Sequence, residues 1–174
     1  MTDTRSPLFA PTAGSGPVWD RAREELSRPR SRDASIDELR EELAVREALA
    51  RYTYSFDGGD LDAVMTYFAD DCATMDRHGM THTGRDAVRA NYKKMIESIP
   101  RRFHVWTNVV VRLSDGLQGG WRIAYFYAYL DAVGEPPHAV GGVVADQMVK
   151  EDGDWRIRER SVTVDLDHAL TSVG

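Results

Sequence analysis

Three side chains that can move or orient a proton stand at positions 52, 57 and 104 of this 174-residue sequence. Tyr52 and Asp57 lie in the stretch 51–64, where a predicted helix ends at Gly58-Gly59 and a second helix begins. A largely apolar helix end that carries a phenol and a carboxylate is a candidate wall of a ligand cavity. His104 begins a later predicted strand, and an imidazole titrates close to neutral pH.

His104 is the strongest candidate for chemistry. Strand alternation predicts one face with His104, Trp106, Asn108 and Val110, and an opposite face with Val105, Thr107, Val109 and Val111. The first face combines a titratable ring, an aromatic ring and an amide, as pocket walls with a few convergent polar groups do. The alternative is a histidine whose ring is satisfied within the core.

Asp57 fits two chemical roles. Burial near apolar walls would raise its pKa and make it a usable general base, whereas beside His104 it would orient the ring and favour the charged imidazolium. The simpler alternative is an aspartate that ends a helix and starts a turn. A carboxylate at that end opposes the helix dipole, which weakens the simpler explanation. Asp60 is predicted to be the N-cap of the next helix.

Tyr52 is the third catalytic candidate, because a phenol can donate to a developing oxyanion or to a leaving oxygen. Five residues correspond to about 140° around an ideal helix, so Tyr52 and Asp57 do not share one stripe. Both line one cavity only if the helix end distorts or the pocket wraps around it. The alternative for Tyr52 is an amphipathic core tyrosine.

Aromatic residues elsewhere predict a wall for a flat, apolar ligand. Tyr92 falls on the buried face of a predicted helix, and Tyr125, Tyr127 and Tyr129 share one face of a predicted strand. The candidates for substrate binding are Tyr92, Trp106, Asn108, Tyr125, Tyr127 and Met75. The alternative for the strand tyrosines is the core or a subunit interface.

The composition, 42% hydrophobic and 29% charged, is that of an ordinary globular protein. The net charge of -6, with no basic stripe, disfavours nucleic-acid binding. Apolar runs are too short to cross a bilayer and the N-terminus does not resemble a signal peptide, so we expect a cytoplasmic protein. Cys72 is predicted to be a core residue. His78 and His82 have no convincing partner ligands and no nucleotide fingerprint occurs, so no metal or cofactor is predicted.

The chain is predicted to comprise an extension, 1–34, and one domain, 35–174. The extension is rich in Pro, Ser, Gly and Arg, but its large apolar residues Leu8, Phe9 and Trp19 suggest that it drapes over its own domain or a partner subunit. Helices are predicted over 36–57, 61–69 and 84–99, and strands over 72–76, 80–83, 104–113, 121–130, 140–150 and 155–165. Gly141-Gly142 predicts a bulge or bend. Helices followed by long strands that look antiparallel indicate the α+β class.

An ordered set of short motifs runs from about residue 36 to the end. They are Arg51-Tyr52…Asp57-Gly58-Gly59-Asp60-Leu61-Asp62, Phe68-Ala69-Asp70-Asp71, Gly84-Arg85-Asp86-Ala87-Val88, His104…Thr107-Asn108-Val109-Val110-Val111 and Asp152-Gly153-Asp154-Trp155-Arg156-Ile157. In this order they resemble the SnoaL-like polyketide cyclase family of the nuclear transport factor two-like superfamily, which includes scytalone dehydratase, ketosteroid isomerase and bile-acid dehydratase.

The resemblance implies a cone-shaped α+β barrel in which three helices pack on a strongly curved mixed or antiparallel sheet around an apolar pocket. It also implies that Tyr52 and Asp57 both line that pocket, and a homodimer or higher homo-oligomer. Some members of the family use a basic residue on the last strand. The equivalent stretch, 161–164, has none, and the charged run 156–160 is predicted to be a solvated face. Glu135 and His138 are predicted to lie in a solvated loop, with an accessory acid-base role as the alternative.

Two classes of function follow for the chain. The first is a cofactor-free dehydratase, isomerase or cyclase that acts on a small hydrophobic polycyclic or aromatic molecule, with epoxide opening as a further reaction of the same pocket. Asp57 and His104 would move the proton, and Tyr52 would polarise an oxygen. The second is a non-catalytic ligand-binding or dimerising subunit, which predicts a filled pocket or a separated Asp57 and His104.

Overall fold

The protein is described by a computed structural model that covers residues 14–29, 33–76 and 78–170. The helices are α1 Pro17–Ser27, α2 Ile36–Gly58, α3 Leu61–Thr66 and α4 Arg85–Ser98. The strands are β1 Phe68–Met75, β2 Thr81–Thr83, β3 Arg101–Leu113, β4 Gly119–Asp131, β5 His138–Glu151 and β6 Asp154–Ala169. The predicted α+β class is therefore confirmed. The largest boundary errors are four residues: β1 begins at Phe68 rather than at 72, which shortens α3, and β6 ends at Ala169 rather than at 165.

The six strands form one mixed sheet in the order β2-β1-β6-β5-β4-β3, and this sheet is not closed. Strands β3 to β6 pair antiparallel as predicted, whereas β1 and β6 run parallel. Helices α2, α3 and α4 pack on one side of the sheet, which we call the inner face, and the main apolar core lies between them and the sheet. The opposite side is called the outer face.

Local sequence signals determine both ends of α2. Ser35 and Glu38 form the predicted capping box, with Ser35 Oγ accepting from the Glu38 amide at 3.1 Å. At the other end Gly59 adopts a left-handed conformation with φ 78°, which ends the helix. Asp60 caps α3 by accepting from the Ala63 amide at 2.9 Å, as predicted. Asp57 is thereby held in the last turn of α2.

Bulges change which side chains face inward along β3 and β6. One extra residue interrupts β3 between Thr107 and Val110, where Asn108 has φ 51°. A second bulge, between Ile157 and Glu159, inserts Arg158 into β6. A third register shift lies at Gly141-Gly142, where a bulge or bend was predicted, but the extra residue is Asp165 on β6. A Cβ on Gly142 would lie 1.8 Å from the Thr163 carbonyl oxygen. Only glycine fits there.

No helix was predicted in the extension, yet residues 17–27 form α1. Its apolar residues Val18 and Ala22 pack on the outer face against Ile123, Val143 and Ala145. Trp19 Nε1 donates to the Asp165 carboxylate at 3.1 Å, which confirms that this part drapes over its own domain. The sequence did not predict α1 because two apolar residues at helical spacing, Val18 and Ala22, are too few to indicate a helix. Leu8 and Phe9 lie outside the described residues.

Docking of α1 can be tested by placing a charge in its contact. Ala22→Asp puts a carboxylate into a site that is 2% exposed, so we expect the free energy of unfolding to fall by about 2 kcal/mol or more. We also expect amide hydrogen exchange across 17–27 to accelerate at least about tenfold. The control is Arg23→Asp, which introduces the same side chain at a neighbouring exposed position. Equal effects of the two substitutions would contradict the docking.

Candidate active site

A pocket of about 360 Å³ opens on the inner face between α2, α4 and the sheet. Its walls are mainly aromatic and aliphatic: Tyr52, Phe56, Tyr92, Met95, Trp106, Phe126, Leu130, Val140, Val162 and Val164. The polar residues that line it are Thr74, Asp76, His78, Asn91, Lys94, Ser98, Arg102, His104 and Arg160. A larger open groove of about 610 Å³ lies beside Arg51 and Arg156, but His104 is not part of it. The smaller pocket is therefore the candidate site.

Asp57 and His104 form a close pair at the edge of this pocket. Asp57 Oδ1 lies 2.6 Å from His104 Nδ1, and its other oxygen accepts from the His104 amide at 2.9 Å. The two side chains are 17% and 13% exposed, so solvent weakens the pairing only partly. This double contact fixes both the backbone and the ring of His104. It leaves the opposite ring nitrogen, Nε2, to the pocket that His104 lines.

Tyr52 and Asp57 point in different directions from α2, and His104 explains how both can act at one site. Tyr52 and Phe56 line the pocket, but Asp57 does not, because it projects from α2 toward β3 and reaches the pocket through His104. The implication that both Tyr52 and Asp57 line the cavity is thus wrong for Asp57. Arg102 secures this helix end, since its guanidinium donates to the carbonyl oxygens of Phe56 and Ile99 at 2.7 and 2.6 Å.

Tyr52 and Tyr92 meet inside the pocket. Their hydroxyl oxygens are 3.0 Å apart, and Arg160 NH1 donates to the Tyr92 oxygen over 3.4 Å. Burial raises the pKa of Tyr52 well above its ordinary value, so the phenol keeps its proton at neutral pH. The protonated phenol both donates and accepts, so either hydroxyl can be the donor in the Tyr52–Tyr92 contact. The prediction that Tyr92 lies on the buried face of its helix is confirmed.

Arg160 corrects the interpretation of the last strand. The run 156–160 was expected to be a solvated face, yet Arg160 is 4% exposed and lines the pocket with Val162 and Val164. The bulge at Arg158 is the reason, because one inserted residue turns the following side chains to the opposite face. The last strand therefore does carry a basic residue that faces the pocket, one position before the stretch 161–164 that the sequence analysis considered.

A buried carboxylate holds Arg160 in place. Asp146 accepts from Arg160 at 2.7 and 3.0 Å and from Arg122 at 3.1 and 2.7 Å. The three residues lie opposite one another on β4, β5 and β6, so the contact crosses the middle of the sheet. Burial alone would raise the pKa of Asp146, but the two adjacent cations outweigh it and lower that pKa. Two cations share one carboxylate, so this group is net positive beside the pocket.

Several predicted binding residues lie elsewhere. Asn108 is exposed because the β3 bulge turns it away from the inner face. Tyr125 and Tyr127 lie on the outer face, where Tyr125 contacts Trp19 with ring centroids 5.8 Å apart. All three are therefore outside the pocket. Met75 borders the pocket but also packs against the α1 cluster, and Trp106 is a wall as predicted.

The remaining titratable candidates are structural or peripheral. Cys72 is fully buried in β1, as expected, and burial raises the pKa of its thiol. His138 does not lie in a solvated loop, because it starts β5 and its Nδ1 is 2.6 Å from Asp167 Oδ1, whereas Glu135 is exposed. Within the described ranges, no group of three or more His, Cys, Asp or Glu residues is arranged to hold a metal ion. None of the helices in those ranges combines the length and apolar character that crossing a bilayer requires.

A family model for the SnoaL-like domain matches residues 37–161. The chain belongs to this family. The match begins in the first turn of α2 and ends at Ser161, so this SnoaL-like domain includes Asp57, His104 and Arg160. The resemblance deduced from the motifs is confirmed. No protein of curated function matches the sequence.

Solved structures share the fold at low sequence identity. A protein assigned as a scytalone dehydratase from Novosphingobium aromaticivorans superposes with a TM-score of 0.69 at 20% identity, covering 78% of this chain and 89% of that one. Hexachlorocyclohexane dehydrochlorinase LinA-type3 from Novosphingobium barchaimii gives 0.71 at 13%, covering 80% and 97%. Aln2 from a Streptomyces species gives 0.64 at 18%, covering 76% and 94%. These three structures share the α+β fold of this chain.

The buried ionic group yields a stability prediction. Asp146→Asn removes the charge that two buried guanidinium groups share, so we expect the free energy of unfolding at pH 7 to fall by about 3 kcal/mol or more. The control is Asp154→Asn, an exposed position at the start of β6. Urea denaturation measures both, and equal stabilities would contradict the role of Asp146.

The same group predicts a pH dependence. Because folding lowers the pKa of Asp146, its contribution is fully present above the unfolded value of about 3.9 and is lost as pH falls below it. The stability difference between wild type and Asp146→Asn should therefore be constant from pH 7 to about 5 and shrink below about pH 4. A difference that shrinks already at pH 6 would contradict this assignment.

Proposed function

We propose that this SnoaL-like protein is a cofactor-free lyase or isomerase that transfers a proton on a small hydrophobic cyclic molecule. The observation that carries the proposal is the Asp57–His104 pair, with its 2.6 Å contact at the edge of an apolar pocket. Dehydration, double-bond migration and aldol cyclisation each need a proton removed from carbon and a charge stabilised on oxygen. Epoxide opening is a further reaction that these groups support.

The base in this proposal is His104 Nε2. Asp57 binds Nδ1, which sets the ring orientation and stabilises the imidazolium that forms when Nε2 accepts a proton. The amide contact to the second Asp57 oxygen prevents the carboxylate from rotating away. The Asp57 carboxylate therefore acts through His104 and is a positioning residue.

Negative charge on the substrate would be stabilised by Arg160 and the two tyrosines. Arg160 brings a positive charge to the apolar pocket, where low polarity strengthens electrostatic attraction. Tyr52 can donate a hydrogen bond, because its raised pKa keeps the phenol protonated. An enolate oxygen or a leaving hydroxyl is the group that such donors would stabilise.

A non-catalytic module is less well supported. It predicts a pocket filled by side chains or a separated Asp57 and His104, whereas the pocket holds about 360 Å³ and the two residues are in contact. A SnoaL-like fold serves both kinds of protein, so the argument depends on the site. The names of two neighbours, a scytalone dehydratase and a dehydrochlorinase, agree with an elimination reaction.

We also propose a cytoplasmic homodimer or higher homo-oligomer. The support is an exposed apolar patch on the outer face, where Phe103, Val105, Tyr127 and Leu166 are each 46% to 63% exposed. The patch includes Tyr127, which belongs to the row of strand tyrosines that the sequence predicted either to bind ligand or to form a subunit contact.

Loss of the base should abolish most activity. We expect His104→Ala to lower kcat/KM by about 10² to 10⁴-fold, the usual contribution of a general base, and Asp57→Asn to lower kcat in the same direction. The measurement is turnover of cyclic alcohols and ketones, including deuterium uptake beside the carbonyl of 1-tetralone in D₂O, followed by NMR.

His138→Ala is the matched control, since His138 is also a histidine in contact with an aspartate but does not line the pocket. Its turnover should stay within a few fold of wild type. If His104→Ala retains near-wild-type turnover while it remains folded, the proposed base is wrong.

A further inference from the structure

The charges around the pocket are unevenly balanced. In the part of the chain that the structure describes, the pocket is lined by three cations, Lys94, Arg102 and Arg160, and by one carboxylate, Asp76. The protein as a whole has a net charge of -6, so this local excess of positive charge is not a consequence of the composition. A cleft with apolar walls and an excess of one sign of charge attracts ligands of the opposite sign.

The two arginines are already engaged by the protein. Arg160 shares the Asp146 carboxylate with Arg122, and Arg102 donates to carbonyl oxygens near the ends of α2 and α4. Both lining arginines are buried, at 4% and 7% exposed. Their charges contribute to the positive field in the pocket, but their donors have protein partners.

The carboxylate of Asp76 is engaged as well. Its Oδ1 accepts from the amides of His78 and Met80 at 2.9 and 3.0 Å, and its Oδ2 lies 3.5 Å from His82 Nε2. Burial alone would raise the pKa of Asp76, but these hydrogen bonds outweigh it and lower that pKa. Asp76 therefore closes the turn between β1 and β2, and among the described residues it forms no ion pair with Lys94.

Lys94 is the cation that a ligand can reach. Helical spacing aligns it with Asn91 and Ser98 on the face of α4 that lines the pocket. Lys94 and Ser98 are exposed whereas Arg160 is buried, so this row lies at the pocket opening. Within the described ranges, the side chains of Lys94 and Asn91 make no hydrogen bond or ion pair. Their donors are therefore available to a ligand.

The chemistry of this row defines the complementary group. An ammonium only donates and a side-chain amide offers two N–H donors, so together they complement a negatively charged oxygen. A carboxylate supplies two such oxygens. A ligand with an apolar ring and a carboxylate at one end would place the ring between the aromatic walls near His104 and the carboxylate at the opening.

We propose that Lys94 and Asn91 bind a carboxylate of the substrate at the pocket opening, and that the substrates are cyclic carboxylic acids rather than neutral molecules of the same shape. The inference rests on the proposed function only in taking this pocket as the substrate site. Neither residue is assigned to proton transfer. Binding the carboxylate at the opening would fix which ring carbon faces His104.

The test compares 2-naphthoate with 2-acetonaphthone, a neutral ketone of similar shape, by equilibrium binding to the full chain at pH 7. Wild type should bind 2-naphthoate more tightly. Lys94→Gln removes the charge and should weaken 2-naphthoate about three- to tenfold, while 2-acetonaphthone changes less than about twofold. Asn91→Asp places a negative charge beside the bound carboxylate and should weaken 2-naphthoate about threefold or more.

Lys93→Gln is the matched control. Lys93 precedes Lys94 on α4 but does not line the pocket, and its ammonium lies 3.8 Å from Glu97. The substitution removes the same charge and should change 2-naphthoate binding less than about twofold. Lys94→Arg keeps the charge and should retain the preference. The wild-type preference should also shrink when NaCl is raised from about 50 mM to about 500 mM, because salt screens an exposed charge.

Three results would overturn the inference. The first is a wild type that does not prefer 2-naphthoate. The second is a Lys94→Gln protein that weakens both probes equally, which would show an altered pocket shape. The third is an equal effect of Lys93→Gln and Lys94→Gln, which would show that only the overall charge of the protein matters.

These binding measurements are separable from the test of the proposed base. His104→Ala removes proton transfer but leaves Lys94 and Asn91 in place, so its preference for 2-naphthoate should persist. Loss of turnover with retained preference supports both proposals. Retained turnover in His104→Ala contradicts only the proposed base, and a wild type without the preference contradicts only the role of Lys94 and Asn91.

Discussion

The buried carboxylate of Asp146 is the interaction on which the pocket depends. It joins Arg122 and Arg160 across three neighbouring strands, and Arg122 also donates to the Val45 carbonyl oxygen of α2 at 3.0 Å. A buried guanidinium without a counter-charge would be strongly destabilising, so strand register, helix position and the location of Arg160 are coupled. Arg160, the cation beside the candidate site, therefore also stabilises the fold.

The end of α2 imposes the second constraint. Gly59 stops the helix in a left-handed conformation, and Arg102 donates to the carbonyl oxygens of Phe56, in the last turn of α2, and of Ile99, directly after α4. Asp57 is consequently held against the start of β3, where it contacts His104 through two hydrogen bonds. Because both partners sit on rigid elements, the pair is held in its geometry before any ligand arrives.

The two faces of the sheet have different roles. The inner face carries the pocket, with a row of polar side chains that runs from Thr74 through Arg160 and Asp146 to Arg122. The outer face is partly covered by α1, and beyond α1 it exposes aromatic residues such as Tyr127. A polar group on the inner face is removed from water and needs a partner, whereas one on the outer face is solvated.

Local sequence determined much of this protein. The capping box at Ser35, the Gly58-Gly59 break and the Asp60 cap define both ends of α2 and the start of α3, and the order of the motifs identifies the family. These features depend on neighbours in the chain. Tertiary structure decided which face each strand residue takes, because the bulges in β3 and β6 move Asn108 outward and Arg160 inward. Alternation has a period of two, so one inserted residue reverses every later assignment, and only the pairing of distant strands reveals where the insertion lies.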